Sequence, residues 1–421
     1  MEPVPAEPTR PRVLYLVHRV PYPPDKGDRI RSFHLLRYLS RRADVYLACL
    51  ADEPVSDETR AALKRLCAGV AIVPLGNWSR WLRVPGALLG GRSISEGVFH
   101  SPPLVEVLRD WARQTSFHVS LASASSMVPY QRLDELQEVP AVVDLMDVDS
   151  QKWLDYAAAE RGLRARLFLT EGRRLRELEQ TLPSWAQAVT LVSDAEAELF
   201  RQFCSWEGVH AVTNGVDLDY YRPADPPPAE NGCVFVGALD YRPNVDAACW
   251  FSREVWPAIL RQHPEARLRL VGRQPVQEVV RLGQVPGVEV VGQVPDVRPY
   301  VAEAAIVVAP LRIARGIQNK VLEALAMAKP VVASPQGLNG LGNKLDLPAL
   351  TASERSEWVE HIVRLLENPT LRRQLGAAGR NYVEVHHDWE RCLEPFGLIL
   401  GLPAEALPQP DHIPAATEVS R

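Results

Sequence analysis

Apolar and polar positions alternate in blocks along this chain. Short apolar runs of the buried-strand kind, such as VLYLV at 13–17 and DVYLACL at 44–50, are separated by amphipathic stretches such as IRSFHLLRYLSRR. A strand followed by a helix, repeated many times, is typical of a parallel sheet with helices on its faces. The pattern therefore predicts an α/β fold.

The alternation occurs twice. The first series ends near 209–213, a Pro-rich stretch (YYRPADPPPAEN, 220–231) breaks regular structure, and the series restarts at CVFVGAL. We expect two Rossmann-like, doubly wound domains that face each other across a cleft, with ligands at the carboxyl ends of the strands. The predicted division is a disordered tail at 1–11, an acceptor-side domain at 12–222, a linker at 223–230, a nucleotide-sugar-binding domain at 231–385, a helix returning to the N-terminal domain at 386–402, and a disordered tail at 403–421.

Composition excludes several classes. The chain has 421 residues and a net charge of −5, which disfavours a general nucleic-acid binder. Its six cysteines lack CxxC spacing, so neither a zinc site nor a disulfide framework is indicated. The N-terminus lacks the apolar stretch of a signal peptide, and no run reaches the ~18 apolar residues that a spanning helix needs. We expect a cytoplasmic protein.

The loop after the first strand, PYPPDKGDRIR, is the first candidate binding element. Gly27 would let the backbone approach a ligand, a helix N-terminus follows, and Lys26, Arg29 and Arg31 add positive charge. The alternative is an ordinary loop with solvated charges, since neither GxGxxG nor a P-loop is present. His18, at the end of the same strand, is a candidate to contact substrate or a structural histidine.

The segment DVDSQ contains two carboxylates, Asp147 and Asp149, at the spacing of a DxD metal motif. A helix starts here, so the alternative interpretation is that Asp149 or Ser150 is the N-cap residue of that helix. We favour a cap or a polar contact with an acceptor over a metal. The sequence thus predicts no metal and no cofactor, and it leaves His18 and Asp149 as unassigned catalytic candidates.

Four strand-end loops of the second domain should meet at one edge of its sheet. Any one of the basic side chains in these loops could be an ordinary solvated surface charge. The convergence of four loops, however, favours a phosphate site. The candidates are Gly237, Arg242, Asn244, Arg273, Val294, Arg312, Arg315, Gly316, Gln318, Asn319 and Lys320.

Glu323 is an acid inside the apolar helix VLEALAM, about one turn from its start. A favourable interaction with the helix dipole explains its charge but not its place in an apolar run behind a basic loop. Its carboxylate is suited to accept two hydroxyl hydrogen bonds from a vicinal diol such as that of a ribose. We interpret the segment as a nucleotide-binding helix.

The segments NGVDLDYYRP, FVGALDYRPNVDA and VLEALAMAKPVVAS resemble those of glycosyltransferase family four, whose fold is GT-B. The combination of DVDSQKW with RGIQNKVLEA is similar to a bacterial subgroup associated with exosortase (PEP-CTERM) systems and exopolysaccharide production. The resemblance implies retaining transfer of a sugar from a nucleotide-diphospho-sugar. It further implies that Glu323 binds the donor ribose, that Arg242, Arg273 and Gly27 lie at the diphosphate, and that Val294 contacts the base.

One departure from the family concerns its E-x7-E pair, because Arg315 stands where the first acid is expected. That acid usually contacts the donor sugar, so the identity of the sugar is left open. Lys320 is a candidate to compensate as a phosphate ligand.

The predicted partners are the nucleotide-sugar donor and a glycan or lipid-linked acceptor. The stretch NWSRWLRVPGALLGG at 77–91 has two interpretations. It either contacts the inner face of the membrane or forms a loop and helix that cap the core. Two alternatives to an active transferase remain: a catalytically silent nucleotide-binding scaffold, and a sugar-nucleotide epimerase of the same fold.

Overall fold

The chain folds into two compact units in the computed structural model, which describes residues 10–24, 27–76, 81–225, 232–314, 316–341 and 347–404. The first unit comprises the chain through Val212 together with the segment from Leu393 onward. The second unit runs from Thr213 to Cys392. Each unit is built on its own sheet.

The first unit contains a parallel sheet with the strand order β3-β2-β1-β4-β5-β6-β7. Apolar, β-branched runs form these strands because side chains are buried on both faces of a parallel sheet. The strands are β1 (Arg12–Val17), β2 (Asp44–Ala51), β3 (Gly69–Pro74), β4 (Val119–Ser123), β5 (Ala141–Met146), β6 (Ala188–Leu191) and β7 (Val209–Ala211).

Helices connect the strands of the first unit. They are α1 (Gly27–Ser40), α2 (Asp57–Leu66), α3 (Val84–Leu89), α4 (Ile94–Phe99), α5 (Pro102–Gln114), α6 (Val128–Gln131), α7 (Asp149–Ala159), α8 (Gly162–Thr181) and α9 (Asp194–Arg201), with short 3-10 turns at Trp81–Arg83, Ser125–Met127, Asp134–Leu136 and Leu182–Ser184. Helix α1 begins at Gly27, so Arg29 lies in the helix and not in the predicted loop.

The second unit contains a parallel sheet with the order β10-β9-β8-β11-β12-β13. Its strands are β8 (Cys233–Val236), β9 (Leu268–Val271), β10 (Val288–Gly292), β11 (Ile306–Ala309), β12 (Val331–Ala333) and β13 (Leu350–Thr351). Its helices are α10 (Arg242–Trp250), α11 (Trp256–Gln262), α12 (Gln277–Val280), α13 (Arg298–Glu303), α14 (Asn319–Ala326), α15 (Arg355–Glu367) and α16 (Pro369–His386), with a π-helical turn at Phe251–Val255 and a 3-10 turn at Arg281–Gln284.

The core of the second unit lies on both faces of its sheet. Along β8, Cys233 and Phe235 pack into one hydrophobic cluster, whereas Val234 packs into the other. Successive strand side chains point to opposite faces, and each face is covered by helices. The predicted pair of doubly wound α/β units is confirmed.

The division of the chain differs from the predicted one. The sequence predicted that the first domain extends to residue 222, but the units divide after Val212. Leu218 and Tyr221 pack against the second unit's core, and the backbone N–H of Val216 donates to the His387 carbonyl at 2.8 Å. A proline-rich stretch therefore did not mark the boundary, because tertiary packing fixes the segment before it.

Two of the predicted segments lie largely outside the described residues. The linker at 223–230 is described only through residue 225, and the tails are described only at residues 10–11 and 403–404. The predicted returning helix at 386–402 contains α17 (Trp389–Ile399), and residues from Leu393 onward group with the first unit.

Candidate functional site

The carboxyl ends of β8 and β9 approach each other at two glycines. A Cβ atom on Gly272 would lie 1.7 Å from the carbonyl oxygen of Gly237. A Cβ atom on Gly237 would lie 2.8 Å from Asn244 Nδ2 and 3.1 Å from Lys320 Nζ. Gly272 therefore excludes a side chain, and the lack of a side chain at Gly237 leaves room for Asn244 of α10 and Lys320 of α14 beside the ends of β8 and β9.

Lys320 and Asn244 form the polar centre of this convergence. Lys320 Nζ donates to Asn244 Oδ1 at 2.6 Å, and Asn244 Nδ2 donates to the Ala238 carbonyl at 2.9 Å. The ammonium group also lies 5.0 Å from the centre of the Phe235 ring. The lysine is thus held by a neutral amide and an aromatic face, and its positive charge is only partly offset.

Glu323 lies one helical turn after Lys320 in α14. Burial raises the pKa of the Glu323 carboxyl to about 7, although a hydrogen bond from Tyr221 and the charge of Lys320 oppose that rise. Burial lowers the pKa of Lys320 to about 8, and Glu323 opposes that shift. Both groups therefore change charge near neutral pH, as groups at functional sites often do.

Tyr221 was not predicted as a site residue. Its hydroxyl donates to the Glu323 carboxylate, and burial beside that acid holds the pKa of Tyr221 well above its ordinary value. In the sequence, the segment NGVDLDYYRP carried only a resemblance to glycosyltransferase family four. Nothing in local spacing links a tyrosine at the start of the Pro-rich stretch to an acid in a distant helix, so only folding reveals the contact.

The segment that carries Tyr221 is fixed by long-range polar contacts. Arg380 Nη1 donates to the Tyr221 carbonyl at 2.9 Å and to the Ala326 carbonyl at 2.8 Å. At its other end, His387 Nδ1 lies 2.8 Å from the Asn214 carbonyl oxygen. These contacts hold Tyr221 against the end of α14, so the orientation of Glu323 is set before any ligand binds.

The start of α14 contributes further polar groups. Gln318 is its N-cap residue, and Asn319 is its first helical residue, with Oδ1 at 3.5 Å from Asn214 Nδ2. Gly316 has φ +58°, a left-handed conformation that suits glycine. Arg315, the residue at the position of the expected first acid, lies outside the described residues.

Two of the predicted basic residues lie to the side of this centre. Arg312 forms a bidentate ion pair with Asp246, with a 2.9 Å contact between Nε and Oδ2, and its guanidinium lies 5.9 Å from the Trp250 ring. An open cavity of about 540 Å³ on this side is lined by both Arg312 and Arg242. Among the described residues, Arg312 pairs with Asp246 and Lys320 with Asn244, so these two cations have different partners.

Arg273 and Val294 follow β9 and β10. Arg273 lies just after β9 and is partly buried. Val294 packs against the hydrophobic cluster that also contains Leu322 of α14. Their assignment to the diphosphate and the base stays a prediction.

The first unit's predicted anion loop is already neutralised. Arg31 forms a bidentate ion pair with Asp144, with both N–O distances 2.9 Å, and both side chains are fully buried. Arg29 is buried and lies 3.2 Å from Glu53. Both arginines have acidic partners within the first unit, and their contribution to an anion site stays a prediction; Lys26 lies outside the described residues.

The other first-unit candidates are also engaged. His18 Nε2 lies 3.2 Å from Oδ2 of Asp28, which occupies the first turn of α1 next to Gly27. Asp28 Oδ2 also accepts a 2.9 Å hydrogen bond from Arg19. A carboxylate thus occupies the helix terminus where Gly27 was predicted to approach a diphosphate, and that role stays a prediction.

Asp149 is the first residue of α7 and not its cap. The N-cap residue is Val148, and its side chain makes no capping hydrogen bond. The backbone N–H of Val148 donates to Glu196 at 2.8 Å, and the backbone N–H of Ser150 donates to Glu179 at 3.0 Å. Asp149 Oδ2 instead accepts a 2.6 Å hydrogen bond from Ser125. The cap prediction was wrong because carboxylates from other helices supply the acceptors.

No group of three or more His, Cys, Asp or Glu side chains suited to a metal ion occurs among the residues the structure describes. Nor does that part of the chain hold a helix with the length and apolar character required to cross a bilayer.

Comparison with known proteins identifies the class of fold. Sucrose-phosphate synthase from Thermosynechococcus elongatus superposes with a TM-score of 0.68 at 17% identity, over 92% of this chain and 98% of the synthase. HepE of Anabaena, solved in complex with UDP, gives 0.63 at 16% identity over 93% and 99%. The fold is GT-B, as predicted from the sequence.

Sequence comparisons give one family match and one relative with a known activity. Residues 230–368 match the family described as "Glycosyl transferases group 1". A GDP-mannose-dependent monoacylated alpha-(1-6)-phosphatidylinositol monomannoside mannosyltransferase of Corynebacterium glutamicum is 27% identical over 241 residues, which cover 50% of this chain and 62% of that protein. The chain thus spans less than two thirds of this relative. The structural neighbours share the fold of this chain, and the family match contains Gly237, Asn244, Lys320 and Glu323.

Proposed function

We propose that this protein is a glycosyltransferase that moves a sugar from a nucleoside-diphosphate sugar to an acceptor hydroxyl. The observation that carries the proposal is the juxtaposition of Lys320, Asn244 and Gly237 at the carboxyl edge of the second sheet, with Glu323 one turn further along α14. This arrangement lies within the segment that matches the glycosyltransferase family.

Lys320 is suited to the diphosphate. Its ammonium donates to the neutral amide of Asn244, and it lies in the first turn of α14, whose N-terminus favours negative charge. Transfer develops negative charge on the departing diphosphate. A preorganised positive group that is shielded from water stabilises that charge more than one in water, so Lys320 would lower the barrier to transfer.

Glu323 is suited to the ribose of the donor. An ionised carboxylate accepts hydrogen bonds on both oxygens, and a 2′,3′-diol offers two donors. The Tyr221 hydroxyl uses part of that accepting capacity and fixes the carboxylate. The GDP-mannose-dependent relative and the UDP complex of HepE both support a nucleotide-sugar donor, with a guanine or a uracil base.

The finer proposals come from the sequence motifs. We infer a retaining reaction, a glycan or lipid-linked acceptor, and a role in exopolysaccharide or cell-surface glycan synthesis of the exosortase-associated kind, supported by the DVDSQKW and RGIQNKVLEA motifs. Transfer is proposed to need no metal or cofactor. Arg315 at the position of the first acid of E-x7-E implies a contact with the donor sugar that differs from the family's usual one.

Thermal unfolding with UDP, GDP and ADP tests the donor site. One nucleotide is expected to stabilise the protein by about 2.7 kcal/mol at 100 times its dissociation constant. Glu323→Gln should abolish this stabilisation, whereas Glu360→Gln, which removes an exposed carboxylate of α15, should not. Stabilisation by none of the nucleotides, or an equal response of both variants, would refute the donor site.

Turnover distinguishes the enzyme from a silent scaffold. The sugar conjugate of the stabilising nucleotide should be consumed with release of the free nucleoside diphosphate in the presence of an acceptor extract. Binding without release under these conditions would favour the catalytically silent, nucleotide-binding alternative.

A further inference from the structure

Exposed apolar side chains concentrate in two segments of the first unit. Leu82, just before α3, and Leu89, the last residue of α3, are 81% and 91% exposed. Leu163 and Leu167, in the first two turns of α8, are 83% and 48% exposed. A few isolated exposed leucines need no explanation, but four in two neighbouring segments indicate an interaction surface.

The exposed leucines of α8 lie on the helix face that contacts the segment after α3. Leu163, Leu167, Glu171 and Arg174 follow the i, i+4, i+8, i+11 spacing of a single helix face. Glu171 accepts a 2.9 Å hydrogen bond from the Ser95 N–H at the start of α4, in the segment that follows α3. The stripe that contacts the α3–α4 segment therefore continues into the exposed leucines.

Arg174 confirms this juxtaposition further along the same face. A Cβ atom on Gly91 would lie 3.6 Å from Arg174 Nη1, and Gly91 is two residues from Leu89. We call residues 81–92 and 161–167 the apolar-basic surface.

The apolar-basic surface is positively charged, although the whole chain carries −5. Arg92, Arg161, Arg164 and Arg166 are exposed, and neither segment contains an acid. Glu160, immediately before Arg161, is half-buried, and the nearest following acids are buried: Glu96 forms the capping box of α4, and Glu171 accepts backbone hydrogen bonds from the same helix. Nothing acidic within these two segments neutralises the arginines.

We propose that the apolar-basic surface docks onto an anionic lipid bilayer. Leucines can enter the acyl boundary while arginines keep their guanidinium groups at the level of the phosphates. Each basic residue near such a surface contributes about a fivefold gain in binding. A second copy of the chain is a poorer partner, because a self-complementary contact would bring the same arginines together.

This inference specifies the membrane contact that the sequence left open, but it does not depend on the proposed sugar transfer. Its test measures partitioning onto vesicles and needs neither a donor nor an acceptor. Failure of one proposal is therefore distinguishable from failure of the other.

Cosedimentation of the full chain with vesicles provides the test. We expect binding to phosphatidylcholine vesicles that also contain phosphatidylglycerol, weak binding to phosphatidylcholine alone, and loss of binding as salt is raised. Replacing Arg161, Arg164 and Arg166 together with Gln should weaken binding about 100-fold, from about fivefold for each arginine.

The apolar contribution has a matched control. Leu89→Ser combined with Leu163→Ser should weaken binding at least about tenfold, since both side chains lose apolar area that the bilayer would bury. Leu398→Ser replaces an equally exposed leucine (81%) outside the apolar-basic surface and should leave binding unchanged. All these positions are exposed, so folding should persist and is checked by circular dichroism.

Three results would overturn the proposal. They are binding to neither kind of vesicle, binding that the apolar-basic variants and Leu398→Ser affect equally, and self-association in solution that Leu89→Ser with Leu163→Ser abolishes without an effect on vesicles. The last result would assign the surface to a second copy of the chain.

Discussion

The carboxyl edges of the two sheets use charge in opposite ways. At the first sheet, Arg31 pairs with Asp144, and His18 and Arg19 both contact Asp28, whose pKa they hold well below its usual range. At the second sheet, Lys320 is bonded to a neutral amide, and its pKa falls while that of Glu323 rises.

This difference distinguishes charged groups that stabilise the fold from charged groups that are available to a ligand. A buried ion pair whose partners satisfy each other offers nothing to a ligand, and it resists change because removing one partner leaves an uncompensated charge. A charge held by neutral partners keeps its field available at a cost in stability. The first pattern fits a framework, and the second fits a site completed by an anionic, hydroxyl-rich ligand.

The largest expected effect is on the first sheet. Arg31→Met leaves the fully buried Asp144 without its counter-ion, and breaking such a pair costs about 3–5 kcal/mol. Arg113→Met removes an exposed pair with Asp110 and should cost below about 1 kcal/mol. Urea denaturation followed by tryptophan fluorescence measures both; equal losses would mean that the buried pair is not structural.

Lys320→Met should show the opposite behaviour. The substitution removes a charge that burial disfavours, so the unliganded protein should lose little stability. Affinity for the stabilising nucleoside diphosphate should fall roughly 10- to 100-fold, the worth of a charge-assisted hydrogen bond. Calorimetric titration measures the loss, and unchanged affinity would remove Lys320 from the diphosphate site.

The pH dependence of nucleotide binding sharpens the comparison. Glu323 gains its charge as pH rises through about 7, and Lys320 loses its charge as pH rises through about 8. Ribose binding needs the carboxylate and phosphate binding needs the ammonium, so affinity should peak between about pH 7 and 8. It should fall by up to about tenfold per pH unit on either side.

The matched variant for this profile is Lys320→Arg. Arginine stays protonated, so the fall of affinity above about pH 8 should disappear while the fall below about pH 7 remains. A profile that is flat from about pH 6 to 9 in the unmodified protein would contradict the assignment of both groups.

The smallest expected effect concerns Tyr221. Tyr221→Phe removes the hydrogen bond that lowers the pKa of Glu323, so that pKa should rise further and the acidic limb of binding should move to higher pH. One hydrogen bond is worth about 0.5–1.5 kcal/mol, hence about a 3- to 10-fold loss of affinity near pH 7. Tyr220→Phe, whose hydroxyl lies 3.4 Å from Asp296, should leave the limb in place; equal shifts in both would contradict a specific role of Tyr221.

The comparison of the two sheets also shows how much of the candidate site the local sequence pattern predicts. Lys320 and Glu323 are one helical turn apart in a strongly patterned helix, so the sequence placed them together and next to a strand end. The placement of Gly237 after β8 and of Asn244 in α10, near the end of a strand, was also predicted from the alternation of strands and helices. The ion pairs of Arg31 and Arg312 could not be predicted from the sequence, because their partners, Asp144 and Asp246, are distant along the chain.

The sequence by itself determined the α/β class, the two sheets and the helix that carries Glu323, because these depend on hydrophobic periodicity over a few residues. Only the tertiary structure decided that the units divide after Val212 and that Tyr221 orients Glu323. It also decided which arginines are neutralised. The physical reason is that a charge is satisfied by whichever group the order of strands brings within hydrogen-bond distance, and that order is not encoded in any short stretch of the chain.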